Sequence, residues 1–246
     1  MSDNWSQMFL FCYTSGMLMD FSPEEKESLN KLMNKISNAR LTRISSMNDL
    51  WSLTDEVNAR VIKKIVQLDP TQFGFKGRKI PNKSVPKNIV KVDISQSAQD
   101  DKNSTRTYQY LPAPVYEAFM RMNQQFTKDN PGRTLLVGSG YRSTAYQITI
   151  LIGLLVNTYN FDITKTLKGA ALPGYSQHGS ASETAIDISN INGQPSAADP
   201  EDFKDCVEYQ WLTKNANNLG FYESYPPNNP DGIRYEPWHW QYRLNY

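Results

Sequence analysis

Only two histidines occur in this chain, His178 and His239, and each lies in a short stretch with carboxylates close by. The first stretch runs Ser176-Gln-His-Gly-Ser-Ala-Ser-Glu-Thr-Ala-Ile-Asp187 and the second runs Tyr235-Glu-Pro-Trp-His-Trp-Gln-Tyr242. A metal centre of N and O ligands takes about three of them from the protein. Two imidazoles this far apart in sequence serve one centre only if the fold brings both stretches to the same place. Each signal is weak by itself: a lone histidine is more often a satisfied structural residue, Arg142 alone is a surface or salt-bridge arginine, and Glu236 alone is a solvated charge.

The bulk properties leave that question to the fold. A net charge of +1 gives no argument for an acidic partner, and no basic run is interleaved with aromatics as in a nucleic-acid groove. The composition, 39% hydrophobic and 21% charged, is that of a soluble globular protein. The longest apolar run, Ile148 to Val156, is interrupted by Thr149 and Gly153; a membrane span needs about 20 such residues, so the run reads as a buried helix face. Asp3 stands where a secretory signal would carry positive charge, and no small-residue cleavage site follows Phe9-Leu-Phe-Cys12. The chain therefore shows no clear signal peptide. Cys12 and Cys206 lack any Cys-x-x-Cys spacing; two unpaired, mostly buried thiols is the plainer reading, with a disulfide between them as the alternative.

Taken in order, Ser22-Pro-Glu-Glu25 predicts a helix start: Ser22 is the N-cap, Pro23 lies in the first turn and Glu25 closes a capping box. Leu29, Leu32, Met33 and Ile36 follow at helical spacing. A second helix is expected over about 48 to 68, with Leu50, Leu53, Val57, Val61, Ile65 and Leu68 on one stripe. Residues 1–70 thus form an N-terminal helical extension ahead of a domain over 71–246. Residues 71 to 106 read as an arm with an extended piece at 88–93 and a mobile loop near 96–105. Val115, Ala118, Phe119, Met122 and Phe126 mark an amphipathic helix. The β-prone Thr134-Leu-Leu-Val137 leads into Ser139-Gly-Tyr-Arg-Ser143, with a helix over about 143 to 159. Arg142 is thereby placed at a strand end, ahead of a helix N-terminus. Ala185 to Ile188 alternates as a half-buried strand. A helix is expected from Pro200, with Phe203, Val207, Trp211 and Leu212 inward and Gly220 beyond its end. Strands are expected from Phe221 and over Ile233 to Tyr242. The fold class is α+β: a small antiparallel sheet with flanking helices carries the site, and helices precede it.

Taken together, the chemical signals reinforce one another. His178, Asp187 and His239 make a ligand set suited to one zinc ion with a coordination position left open. Glu236, three residues before His239, is a carboxylate able to stand beside a metal without binding it and to take a proton from water. Arg142 offers a planar fork for a substrate carboxylate.

Six blocks carry a resemblance to a known family: Ser139-Gly-Tyr-Arg-Ser143 with Gln147; Leu172-Pro-Gly-Tyr-Ser-Gln-His178; Ala185-Ile-Asp187; Trp211-Leu212 with Asn215-Ala216 and Gly220-Phe221; Ser224-Tyr-Pro226; and Tyr235-Glu-Pro-Trp-His-Trp240. In this order they resemble the zinc D-alanyl-D-alanine carboxypeptidases of the vancomycin-resistance type, which share a wider fold group with lysostaphin-type peptidases and the Hedgehog signalling domain. The resemblance covers about residues 73 to 246. It implies His178, Asp187 and His239 as metal ligands, Glu236 as the general base and Arg142 as the residue that binds the peptide's terminal carboxylate. Ser176 and Gln147 match positions that line the substrate site. The implied activity is removal of a terminal D-alanine from peptidoglycan stem peptides, which places the protein at the cell envelope. An L,D-carboxypeptidase acting on tetrapeptide stems stays open beside it, as does a non-catalytic, Hedgehog-like zinc module. An endopeptidase fits less well, because Arg142 suits a free carboxylate.

One departure from the family pattern stands out: nine positions separate His178 from Asp187 where the family has seven. Strand side chains alternate with period two, so an insertion of two is expected to leave Asp187 on its face. A lengthened turn around 179–184 then absorbs the extra residues, and Glu183 is a remote candidate for a substitute ligand.

Overall fold

The computed structural model describes residues 19–80, 85–98, 108–192 and 200–243. Helix α1, Pro23–Ala39, opens on the expected capping box: Ser22 Oγ accepts from the Glu25 backbone N–H, and the Glu25 carboxylate accepts from that of Ser22. Leu29, Leu32 and Ile36 are buried on its inner face.

The expected second helix is two helices, α2 over Met47–Trp51 and α3 over Glu56–Val66. Local chemistry breaks it. Asp55 accepts from the Asn58 N–H and from the Ser28 hydroxyl on α1, a cap geometry incompatible with a position inside a helix. Leu50, Val61 and Ile65 of the stripe are buried, whereas Leu53, Val57 and Leu68 are only partly covered.

Strands β1, Ile89–Lys91, and β2, Tyr110–Pro112, pair as an antiparallel ribbon. Most of the loop expected to be mobile lies outside the described residues. Its start is tied down, since Ser97 bridges Val137 in parallel and the Ala98 N–H donates to the Val137 carbonyl. Helix α4, Ala113–Asp129, buries all five residues of its apolar stripe.

Strand β3 spans Leu136–Ser139 and α5 spans Thr144–Gly153, continuing as a π turn over Leu154–Thr158. Helix α6 covers Ile163–Gly169 and strand β4 covers Ala185–Ser189. The apolar run from Ile148 is therefore a buried helix, and among the described residues no helix is long and apolar enough to cross a membrane.

The helix expected from Pro200 is also two pieces, α7 over Glu201–Lys204 and α8 over Val207–Asn215, with Cys206 at the break as the cap residue of α8. Cys206 is half-buried there, its thiol directed at the Asp202 carbonyl 3.2 Å away; Cys12 lies outside the described residues. Strand β5 is Phe221–Glu223, and the final strand β6 is confined to His239–Tyr242. The segment before it is held as a loop. Asn229 accepts from the Ile233 N–H and donates to its carbonyl, the Glu236 N–H donates to the Tyr225 carbonyl, and Pro237 has no N–H for a ladder.

The four strands form an antiparallel sheet in the order β3-β4-β6-β5. Its register aligns Asp187 opposite Ser139 on one side and opposite His239 on the other. One core lies between this sheet and the helices α4 and α8, with Phe119, Phe126, Ile186, Leu212 and Trp240 fully covered. A second core joins α1 and α3 to α5, combining Leu29, Leu32, Val61 and Ile65 with Ile148, Leu151 and Ile152. The α+β class holds, and the N-terminal helices share this second core with the helix that follows Arg142.

Candidate metal centre

Strand pairing brings the two histidine stretches together. Asp187 on β4 and His239 on β6 are register partners. His178 lies in the 3-10 turn Gln177–Gly179, held by the Arg142 N–H donating to its carbonyl at 2.9 Å. Among the described residues, His178, Asp187 and His239 present ligand atoms that all lie within 4.8 Å of one another. The two imidazoles meet edge to face with centroids 4.9 Å apart.

The stretch between His178 and Asp187 is a 3-10 turn and a short loop leading into β4, and strand alternation is not what orients Asp187. His178 is not on a strand, so side-chain alternation does not run from it to Asp187; pairing of β4 with β3 and β6 sets the direction of Asp187. The loop closes on itself, with the Glu183 N–H donating to Ser180 Oγ and the Thr184 hydroxyl to the Ser180 carbonyl. The Glu183 carboxylate turns away to Arg78, 2.8 Å distant, and is outside the ligand group.

Second-sphere bonds decide which ring nitrogens face inward. His178 Nδ1 lies 2.9 Å from the Gly140 carbonyl oxygen, and His239 Nε2 lies 3.1 Å from Gln177 Oε1. Both oxygens can only accept, so these nitrogens carry the protons and the opposite ones present lone pairs. Those lone pairs, His178 Nε2 and His239 Nδ1, face the two Asp187 oxygens at 3.3 and 2.9 Å. Lone pairs converging on a carboxylate repel one another unless a cation lies among them. This donor set and its outer partners fit a metal ion of the zinc type.

The surroundings act in the same direction. Burial, aided by the nearby Arg142 charge, pushes the His178 imidazole down to about 4, so it is neutral at neutral pH. Burial draws the Arg142 guanidinium down, against the pull of Asp187.

Around these candidate ligands is a cavity of about 400 Å³ whose lining includes Arg142, Ser176, His178, Asp187, Glu236 and His239. Arg142 Nη2 lies 3.2 Å from Asp187 Oδ2, and its Nε donates to Ser139 Oγ at 3.1 Å. Glu236 Oε2 is 4.0 Å from His239 Nδ1, beside the ligand set and not within it, while Oε1 receives Arg234 Nε at 3.2 Å. Gln147 stands one layer back: it is buried, and its Nε2 donates to the Arg142 carbonyl at 2.9 Å.

Sequence reasoning assigned no role to three groups that the fold recruits. Gln177 Oε1 receives both His239 Nε2 and the Ser224 hydroxyl, the latter at 2.6 Å. Tyr225 stacks on the His239 ring at 4.6 Å and 27°. Gly140 supplies the carbonyl that orients His178, and a Cβ there would collide with the Tyr110 carbonyl and approach Leu111 Cδ2 to 2.9 Å. All three lie inside the matched blocks, but a block does not say which of its atoms orients a ring, and the Gly140 carbonyl leaves no side-chain trace. Replacing Gln177 with Ala is expected to weaken metal affinity by about 10- to 100-fold, read by competition with a chelating dye, because His239 loses the acceptor that holds its tautomer.

Comparison with known proteins adds the family. Residues 108–245, more than half of the chain, match the family described as VanY, D-alanyl-D-alanine carboxypeptidase. Among solved structures, the chain is similar to the LdcB LD-carboxypeptidase, with 27% identity over 67% of this chain and 72% of that one and a TM-score of 0.53. It is also similar in fold to the vancomycin-resistance D,D-dipeptidase VanXYg solved with a D-Ala-D-Ala phosphinate analogue, with 23% identity over 71% of this chain and 65% of that one and a TM-score of 0.50. No curated protein sequence matches. The chain belongs to the VanY family of D-alanyl-D-alanine carboxypeptidases.

Proposed function

We propose that this protein is a zinc-dependent D,D-carboxypeptidase that removes the terminal D-alanine from peptidoglycan stem peptides. The observation that carries the reading is the grouping, on one cavity, of His178, Asp187 and His239 with a carboxylate outside the ligand set, Glu236, and a half-buried cation, Arg142. His178 Nε2, an Asp187 oxygen and His239 Nδ1 would hold the ion. Bound there, zinc supplies Lewis acidity toward a water and a peptide carbonyl.

The chain's own residues do the rest. Glu236 accepts the proton of the attacking water and passes it to the departing amine, so a single carboxylate serves both halves of the reaction. Arg142 grips the terminal carboxylate through a planar pair of N–H groups, exchanging part of its contact with Asp187 for the substrate. Ser176 stands in the cavity wall, where it can hydrogen-bond the peptide backbone, and Gln147 steadies the Arg142 main chain from behind. Acting on this substrate places the protein at the cell envelope.

Likeness to an LD-carboxypeptidase favours one second reading, in which the scissile bond follows the L-centre of a tetrapeptide stem. Incubating the zinc-loaded protein with purified pentapeptide and tetrapeptide muropeptides and weighing the products separates the two. Loss of one alanine from the pentapeptide, with the tetrapeptide untouched, is expected. Loss from the tetrapeptide alone would overturn the D,D assignment in favour of the L,D one, and no loss from either would overturn the peptidase reading.

A further inference from the structure

We infer that Arg43, contributed by the N-terminal helical region, is a positioning residue for the carboxylate-binding arginine, Arg142. The inference rests on the reading of Arg142 given above and adds a residue well outside the family match, which begins at residue 108. Arg43 is only 7% exposed, and its Nη1 donates to Ser139 Oγ at 3.2 Å. The same oxygen accepts from Arg142 Nε at 3.1 Å. A hydroxyl oxygen has two acceptor positions, and two guanidinium groups use both of them. The Ser139 hydroxyl is thereby locked in rotation, and the plane of the Arg142 fork is locked with it.

The main chain anchors this arrangement. The Ser143 N–H donates to the Arg43 carbonyl at 2.8 Å, and the Ser143 hydroxyl donates to the Ser45 carbonyl at 2.7 Å while accepting from the Tyr146 N–H to cap α5. The Arg43 guanidinium also lies over the Tyr146 ring, 5.3 Å from its centroid. The loop carrying Arg142 is therefore clamped from the N-terminal side at its backbone, its cap and its shared hydroxyl.

Two like charges so close repel each other, which ordinary packing avoids. Asp187 compensates on one side of Arg142, at 3.2 Å, and an arriving carboxylate would compensate further. Arg43 thus does two things for a substrate with a free C-terminus: it fixes the direction of the fork, and it adds positive charge behind it. Burial makes that charge count, because water screens it less than it would at the surface.

The test compares a stem peptide ending in a free carboxylate with the same peptide ending in an amide, on zinc-loaded enzyme. Arg43→Met is expected to raise KM for the free-carboxylate peptide by about tenfold, the loss of one hydrogen bond to a charged partner, with kcat nearly unchanged and zinc content intact. KM for the amide is expected not to move, so the preference between the two narrows about tenfold. Arg43→Lys is expected to fall between, because an ammonium keeps the charge without the planar fork. An unchanged preference, or an equal loss on both peptides, overturns the inference, since a merely structural role would affect both alike. If Arg43→Met does not fold, Ser139→Ala removes the shared oxygen while keeping both arginines, and it must narrow the same preference or the inference fails. Arg142→Met run alongside separates the two ideas: if it leaves the preference intact, the assignment of Arg142 itself is wrong.

Discussion

Replacing Glu236 with alanine is expected to lower kcat by about 10²- to 10⁴-fold, the usual contribution of a positioned general base, while the protein keeps its zinc. The reason is geometric. Glu236 Oε2 is 4.0 Å from His239 Nδ1, yet Glu236 is not in the His178, Asp187 and His239 group whose ligand atoms lie within 4.8 Å of one another, so its carboxylate stands beside that set. The backbone around it is independently fixed, since the Glu236 N–H donates to the Tyr225 carbonyl and the Glu236 carbonyl accepts from the His239 N–H. Removing the side chain therefore leaves His239 in place. Metal analysis with single-turnover hydrolysis reads both halves of the expectation, and Glu236→Gln, which keeps size and loses basicity, is expected to match the alanine variant. Activity that survives either change would assign the proton transfer to another group. Zinc lost along with activity would make Glu236 a ligand.

Removing Asp187 is expected to be more damaging, because it touches three charged or coordinating groups at once. Its oxygens face His178 Nε2, His239 Nδ1 and Arg142 Nη2 at 3.3, 2.9 and 3.2 Å. Asp187→Ala strips Arg142 of the carboxylate 3.2 Å from its Nη2. Breaking a buried pair by deleting one member costs about 3–5 kcal/mol, and the site also loses one of three protein ligands. Thermal unfolding with and without added zinc gives a direct reading. The ordinary protein is expected to gain about 2.7 kcal/mol of stability when free zinc is a hundredfold above its Kd, whereas the variant gains almost none. Asp187→Asn keeps the shape and much of the hydrogen bonding, so it is expected to fold better than the alanine variant yet still fail to retain the ion. A variant that is stabilised by zinc as strongly as the parent would remove Asp187 from the ligand set.

The features legible in the amino-acid sequence are those whose physics is local. The start of α1 is written in Ser22, Pro23 and Glu25 because a capping box closes within three residues. The buried face of α4 is written in Val115, Ala118, Phe119, Met122 and Phe126 because helical periodicity repeats every turn. The candidate ligand residues are legible for a different reason: with two histidines in the chain, few combinations of imidazole and carboxylate exist, and their motifs stand in the order of the family they resemble.

Where local signals compete, the pattern misleads. Leu50 to Leu68 has one apolar stripe, yet α2 stops at Trp51 and Asp55 opens α3 as its cap, its carboxylate accepting from the Asn58 N–H and from the Ser28 hydroxyl on α1. Ile233 to Trp238 looks like strand, but it is held by bonds to Asn229 and Tyr225 that no periodicity reveals.

Which side chains are available to the site follows from the chain alone, because composition and motif are properties of the chain. How they work together is a matter of tertiary contacts. Strand register set Asp187 between Ser139 and His239, and the carbonyl of Gly140 and the amide of Gln177 chose the faces of the two imidazoles. A helical region remote in sequence brought Arg43 up behind Arg142. These are long-range backbone and neutral-group contacts; they depend on where the chain returns to itself, and distances along the sequence carry no record of that.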